Sequence, residues 1–132
     1  MTTTVVELLD AIRAHLADFE LPELCSVSVT TSSLTPQVSA QLAGHEPPEI
    51  AAALLGWADT ITDPTADAWR VPSGDTVHLA VTGRLPGGGS VRVYGGVPFH
   101  EHDCGADLTP GARTPLLLGA LRPIAALGEG PA

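Results

Sequence analysis

Apolar residues recur three or four positions apart at the start of the chain, at Val5, Leu8, Leu9, Ile12, Leu16 and Phe19. That spacing winds them onto one stripe of a helix, with Glu7, Asp10, Ala14 and Asp18 on the other side. Thr4 followed by Glu7 is a capping box, because hydroxyl and carboxylate each satisfy an orphan amide of the first turn. The pattern predicts a helix over 5–19, closed by Pro22. A period of two then takes over in LCSVSVT, where Cys25, Val27 and Val29 alternate with Ser26, Ser28 and Thr30. Alternation of this kind is strand periodicity with one buried face, and it puts Cys25 on that face as a small hydrophobe. Beyond the polar TTSSLTP, residues Val38, Ala40 and Leu42 alternate with Ser39 and Gln41, so an antiparallel pair of strands is expected. A second helix opens in GHEPPEIAAALLGWADTI. Pro48 suits its first position, Glu46 and Glu49 complement its dipole, and Ile50, Leu54, Trp57 and Ile61 share a face. ITDPTAD breaks it at Pro64.

The next third is rich in strands. AWRV, the turn PSGD, TVHLAVTGRL, a PGG turn and GSVRVYGGV read as a three-stranded meander. Val77, Leu79, Val81 and Leu85 face one way, and Val91 and Val93 join them only across a loop of odd length. A loop of Pro86, Gly87 and Gly88 with a glycine bulge meets that condition and turns His78, Arg84, Arg92 and Tyr94 to the opposite face. Gly95-Gly96 marks a bulge or close packing against a helix. Residues 98–113 form a long irregular connection, of the kind that often carries function. TPLLLGALRPIAALG supplies a short strand around Leu116–Leu118 and a short helix from about Ala120, with Pro123 tolerable in its first turn. The order is α-β-β-α-β-β-β-(β)-α. It implies one α+β domain over 1–132, with residues 127–132 a frayed tail and an antiparallel sheet of about five strands carrying two main helices on one face. The other face, with Ser26, Ser28, Gln41, His78 and Arg92, is expected to be solvated or covered by a second copy of the chain.

Composition narrows what such a domain does. Apolar residues make up 44%, enough for a core, but aromatics only 4%, so the core must be aliphatic. Fifteen acids against six bases give a net charge of −9, every base is arginine, and the chain has no lysine. Proteins that neutralise many phosphates need clustered cations, so nucleic acid and anionic membranes are disfavoured as partners. The N-terminal MTTTVVELLD lacks the basic and apolar regions of a signal peptide, and no run is long enough to span a bilayer. A cytoplasmic protein with Cys25 and Cys104 as free thiols is expected.

His100-Glu101-His102-Asp103-Cys104 holds the densest chemistry. In extended backbone, His100, His102 and Cys104 point the same way and offer zinc its preferred imidazole and thiolate ligands. Asp107, His45 or His78 could complete the shell. The spacing matches no separated-pair zinc signature, so no cofactor is the leading expectation and zinc the alternative. A Cys25–His78 dyad is opposed by their placement on different faces. The glycines of GRLPGGGS lie between strands without a lysine, unlike a phosphate loop. Asp59, Asp63 and Asp67 read as a solvated linker around Pro64.

The stretches LTPQVSAQLAGHEPPEIAAALLGWADT and GDTVHLAVTGRLPGGGSVRVYGGVPF together resemble small acidic proteins encoded in high-GC actinobacterial genomes. The resemblance covers most of the chain and implies a cytoplasmic location; it implies no activity. The residues themselves point to a non-enzymatic protein-binding or regulatory module acting as a homodimer, with an unknown protein partner. Trp69, His78, Arg92 and Tyr94 mark its interface.

Overall fold

In the computed structural model, residues 4–31, 36–86, 88–99 and 107–127 are described. The chain runs α1 (Val5–Asp18), β1 (Leu24–Thr30), β2 (Gln37–Leu42), α2 (Pro47–Ala58), β3 (Thr62–Arg70), β4 (Thr76–Arg84), β5 (Ser90–Pro98) and β6 (Arg113–Leu116). A 3-10 turn (Leu118–Ala120) then leads into α3 (Leu121–Leu127). The fold is α+β, as expected. Among the described residues no helix is long and apolar enough to cross a membrane. Of the expected tail, only Leu127 lies within the described residues, and it ends α3.

Among the described residues the sheet has six strands, in the order β1-β2-β5-β4-β3-β6. It is mixed, which corrects the antiparallel expectation: β2 pairs with β5 in parallel, Val38 opposite Val91 and Ala40 opposite Val93. The physical reason is a count of reversals. α2 carries the chain back to the end of the sheet from which β2 started, so β3 runs the same way as β2. Two antiparallel turns, β3 to β4 and β4 to β5, restore that direction in β5. Parallel strands need such a helical crossover between them.

The helices cover one face. Val77, Leu79, Val81, Val91 and Val93 are buried there with Val38, Ala40 and Leu42, beneath Ile50, Leu54 and Trp57 of α2. Gly95 explains the close fit: a Cβ on it would stand 2.6 Å from Ile50 Cδ1. α3 adds Leu121 and Ile124 to the same cluster. The odd-length hairpin is as expected, with Leu85 N–H donating to Gly89 O at 3.0 Å and Gly88 and Gly89 at positive φ. The capping box also forms, Glu7 N–H donating to Thr4 Oγ1 at 3.1 Å.

Two expectations fail locally. ITDPTAD is no linker; from Thr62 onward it is the first half of β3. Pro64 escapes the ladder because the register slips between Thr62 and Thr65, with Asp63 at φ 50°, and a bulge is where a strand tolerates proline. Cys25 is exposed rather than buried. The pairing Leu24–Leu42 is followed by Ser26–Gln41, so Cys25 is the extra residue of a bulge and drops out of the alternation.

α1 meets the sheet with less of its stripe than its sequence offers. Leu8, Ile12 and His15 are buried, while Val5, Leu9, Leu16 and Phe19 stay exposed. His15 stacks on Trp57 at 5.5 Å between centroids, and its Nε2 lies 2.8 Å from Thr60 Oγ1. The single proton of Thr60 Oγ1 goes to Trp57 O at 2.9 Å, so Nε2 must carry the hydrogen and donate. Burial lowers the His15 pKa below 6.5, with Asp18 opposing the shift.

Candidate protein-interaction face

Among the described residues no helix lies on the second face of the sheet, and alternation assigns its residues. Pairing registers place Gln41, Tyr94, Ala80 and Asp67 in one row across four strands. The next row runs Gly96, His78, Trp69 and Arg113. Ser39, Arg92, Thr82 and Thr65 form the row on the other side. All four residues expected at the interface are therefore brought together on one surface.

Their packing is specific. The rings of His78 and Tyr94 stack with centroids 5.4 Å apart and an interplanar angle of 21°. Trp69 meets His78 edge-on at 5.2 Å and 82°, and Arg113 sits over the Trp69 ring at 5.8 Å. Edge-to-face and stacked pairs are the arrangements that ring quadrupoles favour. Gly96 lies opposite His78, and a Cβ there would come within 3.3 Å of Thr76 Cγ2 and 3.6 Å of His78 Cδ2. The bare backbone thus gives the imidazole room to lie against its neighbours. Tyr94 completes the row by donating its hydroxyl to Gln41 Oε1 at 3.4 Å, and Ser26 Oγ donates to the same oxygen at 3.3 Å.

Arg92 reaches across β4 to Asp67 in a two-pronged pair, at 3.0 Å and 3.4 Å. Ala80 lies under this bridge and is only 1% exposed although it belongs to the open face; a longer side chain there would block the span. The paired side chains are 18% and 23% exposed, so the guanidinium is held and partly desolvated. His78 has its pKa lowered, first by burial and then by the charges of Arg92 and Arg113. It is neutral near pH 7. A histidine meant as a general base is oriented by a third group on its far side; this one is packed between the rings of Trp69 and Tyr94.

Asp67 and Arg113 are members of this face that the sequence reading missed. The signal was present, since Thr65, Asp67 and Trp69 alternate with Ala66 and Ala68; Pro64 obscured it. His15 was also missed, and no local pattern separates it from its apolar neighbours.

His100, His102 and Cys104 lie outside the described residues, as do the other residues of 100–106. The flanks of that segment are fixed at one end of the sheet. Phe99 lies under the Arg70 guanidinium at 3.6 Å, and Arg70 donates to Leu108 O and Gly74 O at 2.8 Å each. Among the described residues no group of three or more histidine, cysteine or acidic side chains is placed to hold a metal ion. His45 is exposed beside Glu46, 3.7 Å away, and His78 is committed to its rings.

Comparison with protein-family models, with curated proteins and with solved structures finds no match for the chain.

Proposed function

We propose that the protein is a non-enzymatic protein-binding module that acts as a homodimer and offers the open face of its sheet to a partner. The observation that carries this reading is the joined layer of Tyr94, His78 and Trp69 with Arg92 and Arg113 on a surface that no helix among the described residues covers. Tryptophan, tyrosine and arginine are the residues that most often dominate binding energy. Here they are already immobilised by stacking and pairing, so little conformational entropy remains to be lost on association. Charge supports the same surface. Of six arginines in a chain of net −9, Arg92 and Arg113 belong to the layer and Arg84 continues the same side of β4. Asp67 on the same face offsets Arg92, so Arg113 and Arg84 leave the face modestly cationic on an acidic molecule, suited to a partner segment that presents a carboxylate beside an apolar side chain.

The test is affinity capture from cells that make the protein, with wild type compared to Trp69→Ala and Arg113→Glu. A partner whose binding weakens by about 2 kcal/mol on Trp69→Ala supports the reading, and one that binds the variant as tightly as wild type refutes it. A second reading, zinc held by His100, His102 and Cys104, draws on the alternate spacing of three zinc-binding side chains. Elemental analysis of tag-free protein decides it: stoichiometric zinc, lost on His102→Ala, would make this a metal protein.

A further inference from the structure

The largest exposed apolar side chains are not on the aromatic face. Leu117 and Leu127 stand singly near the other edge, but six gather on or beside α1 and β1: Val5 is 43% exposed, Val6 66%, Leu9 47%, Leu16 39%, Phe19 40% and Val27 42%. The two elements are neighbours, and β1 is one edge of the sheet. We propose that two copies of the chain join there, β1 pairing antiparallel with β1 of the second copy about a twofold axis perpendicular to the sheet, with the two α1 helices side by side. This rests on the homodimer reading and assigns its surface.

The two edges of the sheet are treated differently. An exposed edge strand offers unpaired N–H and C=O groups, and proteins usually guard it with charge, proline, a bulge or short length. β6 has such guards: four residues, with Arg113 and Pro115 among them. β1 has seven residues with neither charge nor proline, and beyond the Cys25 bulge its register with β2 is regular from Ser26 to Thr30. Those backbone groups can be satisfied by another strand.

Why that strand belongs to a second copy follows from symmetry and charge. A twofold axis normal to the sheet keeps helix side with helix side, so Val27 and Val29 continue a buried layer while Ser26, Ser28 and Thr30 continue the hydroxyl face. The flanks of α1 agree. At about 100° per residue, Ala11, Ala14 and Asp18 turn toward Pro86 in the β4–β5 turn, where they line a shared cavity. Val5, Leu9 and Leu16 turn to the opposite flank, out past β1. Glu7, Asp10 and Asp18 all lie away from that flank. A molecule of net −9 repels its own copies over most of its surface; β1 and this flank of α1 carry no carboxylate, Glu20 and Glu23 lying just ahead of the strand.

The experiment is light scattering with size-exclusion chromatography, together with amide hydrogen exchange of wild type at rising concentration. Wild type is expected at twice the chain mass, with slowed exchange over Ser26–Thr30 as the dimer fills. Val27→Lys and Leu9→Glu, both at exposed positions, are expected to halve the mass with the circular dichroism unchanged, while Trp69→Ala leaves it at two chains. A wild type of one chain mass overturns the inference and the homodimer reading together. A dimer split by Trp69→Ala but not by Val27→Lys or Leu9→Glu, or one whose β1 amides stay unprotected, overturns the edge assignment alone.

Discussion

At the scale of single residues, His15 is the clearest example of a polar group made to serve a core. It is 3% exposed, stacked on Trp57, and donates from Nε2 to Thr60. The neutral ring satisfies the site; a second proton on Nδ1 would put a charge into it. Its folded pKa lies below 6.5, whereas the unfolded chain protonates near that value. The unfolded state therefore takes up more protons as the pH falls, so the contribution of the neutral ring is complete above 6.5 and drains away below it. Urea unfolding should show the midpoint dropping as the pH is taken from above 6.5 to well below it. His15→Gln keeps a donor for Thr60 and cannot titrate there, so it should flatten that dependence while lowering stability at neutral pH. His78, also shifted down, leaves a residual slope in the variant. An unchanged slope would mean that His15 is not held neutral. Trp57 shows the converse situation: its Nε1 is buried and has no hydrogen-bond partner among the described residues, a penalty of about 1–3 kcal/mol offset by the volume the indole fills at the centre of the core.

At the scale of elements, the packing of α2 on the sheet turns on one missing methyl group. Gly95 and Gly96 are adjacent in sequence but point to opposite faces, and a Cβ would meet Ile50 Cδ1 at 2.6 Å in the first case and Thr76 Cγ2 at 3.3 Å in the second. Gly95→Ala should destabilise by about 1–3 kcal/mol, as overpacking does, and Ile50→Val should relieve part of it. Gly96→Ala should cost less in stability, because its neighbours are side-chain atoms on the open face. Equal losses in chemical denaturation would refute the packing argument. This pair also shows how far the sequence could be read. Alternation in TVHLAVTGRL and SVRVYGG was enough to assign both faces of the meander and the odd loop between them, since one miscounted residue would invert every side chain. Direction was not legible from alternation, which is the same in parallel and antiparallel strands; the parallel β2–β5 pair emerges only when the return made by α2 is counted. Bulges were invisible too. At Cys25 and at Asp63 an extra residue resets the period, and at Cys25 that reset puts the thiol outside where unbroken alternation puts it inside. His78, Arg92 and Tyr94 were legible because each stands at an odd step from a buried valine, and Trp69 because tryptophan is a common interface anchor. Asp67 stands at the same step from Ala66 and Ala68, but a proline three residues earlier masked it.

At the scale of the whole molecule, the two surfaces are disposed to work together. A twofold axis perpendicular to the sheet leaves the aromatic faces of both copies on the same side of one continuous layer. A dimer of that form would present two identical sites. Against a partner displayed at high density, the second site binds as an intramolecular step, and overall avidity can exceed the single-site affinity by about 10²–10⁴ without a new contact. In a face-to-face dimer the two sites would be buried against each other and would give no such gain. The partner captured by wild type, once immobilised, should therefore retain wild-type protein far longer than Val27→Lys in surface plasmon resonance. With that partner free in solution, calorimetry should find the two proteins equal in affinity per site and differing only in sites per particle. Loss of affinity per site in Val27→Lys would place β1 within the partner's own footprint. Equal retention on a dense surface would mean that the copies do not hold their open faces toward the same side. The acidic character of the chain fits this proposed division: repulsion would keep unrelated surfaces apart and leave the uncharged β1 edge and the arginine-bearing face as the places of approach.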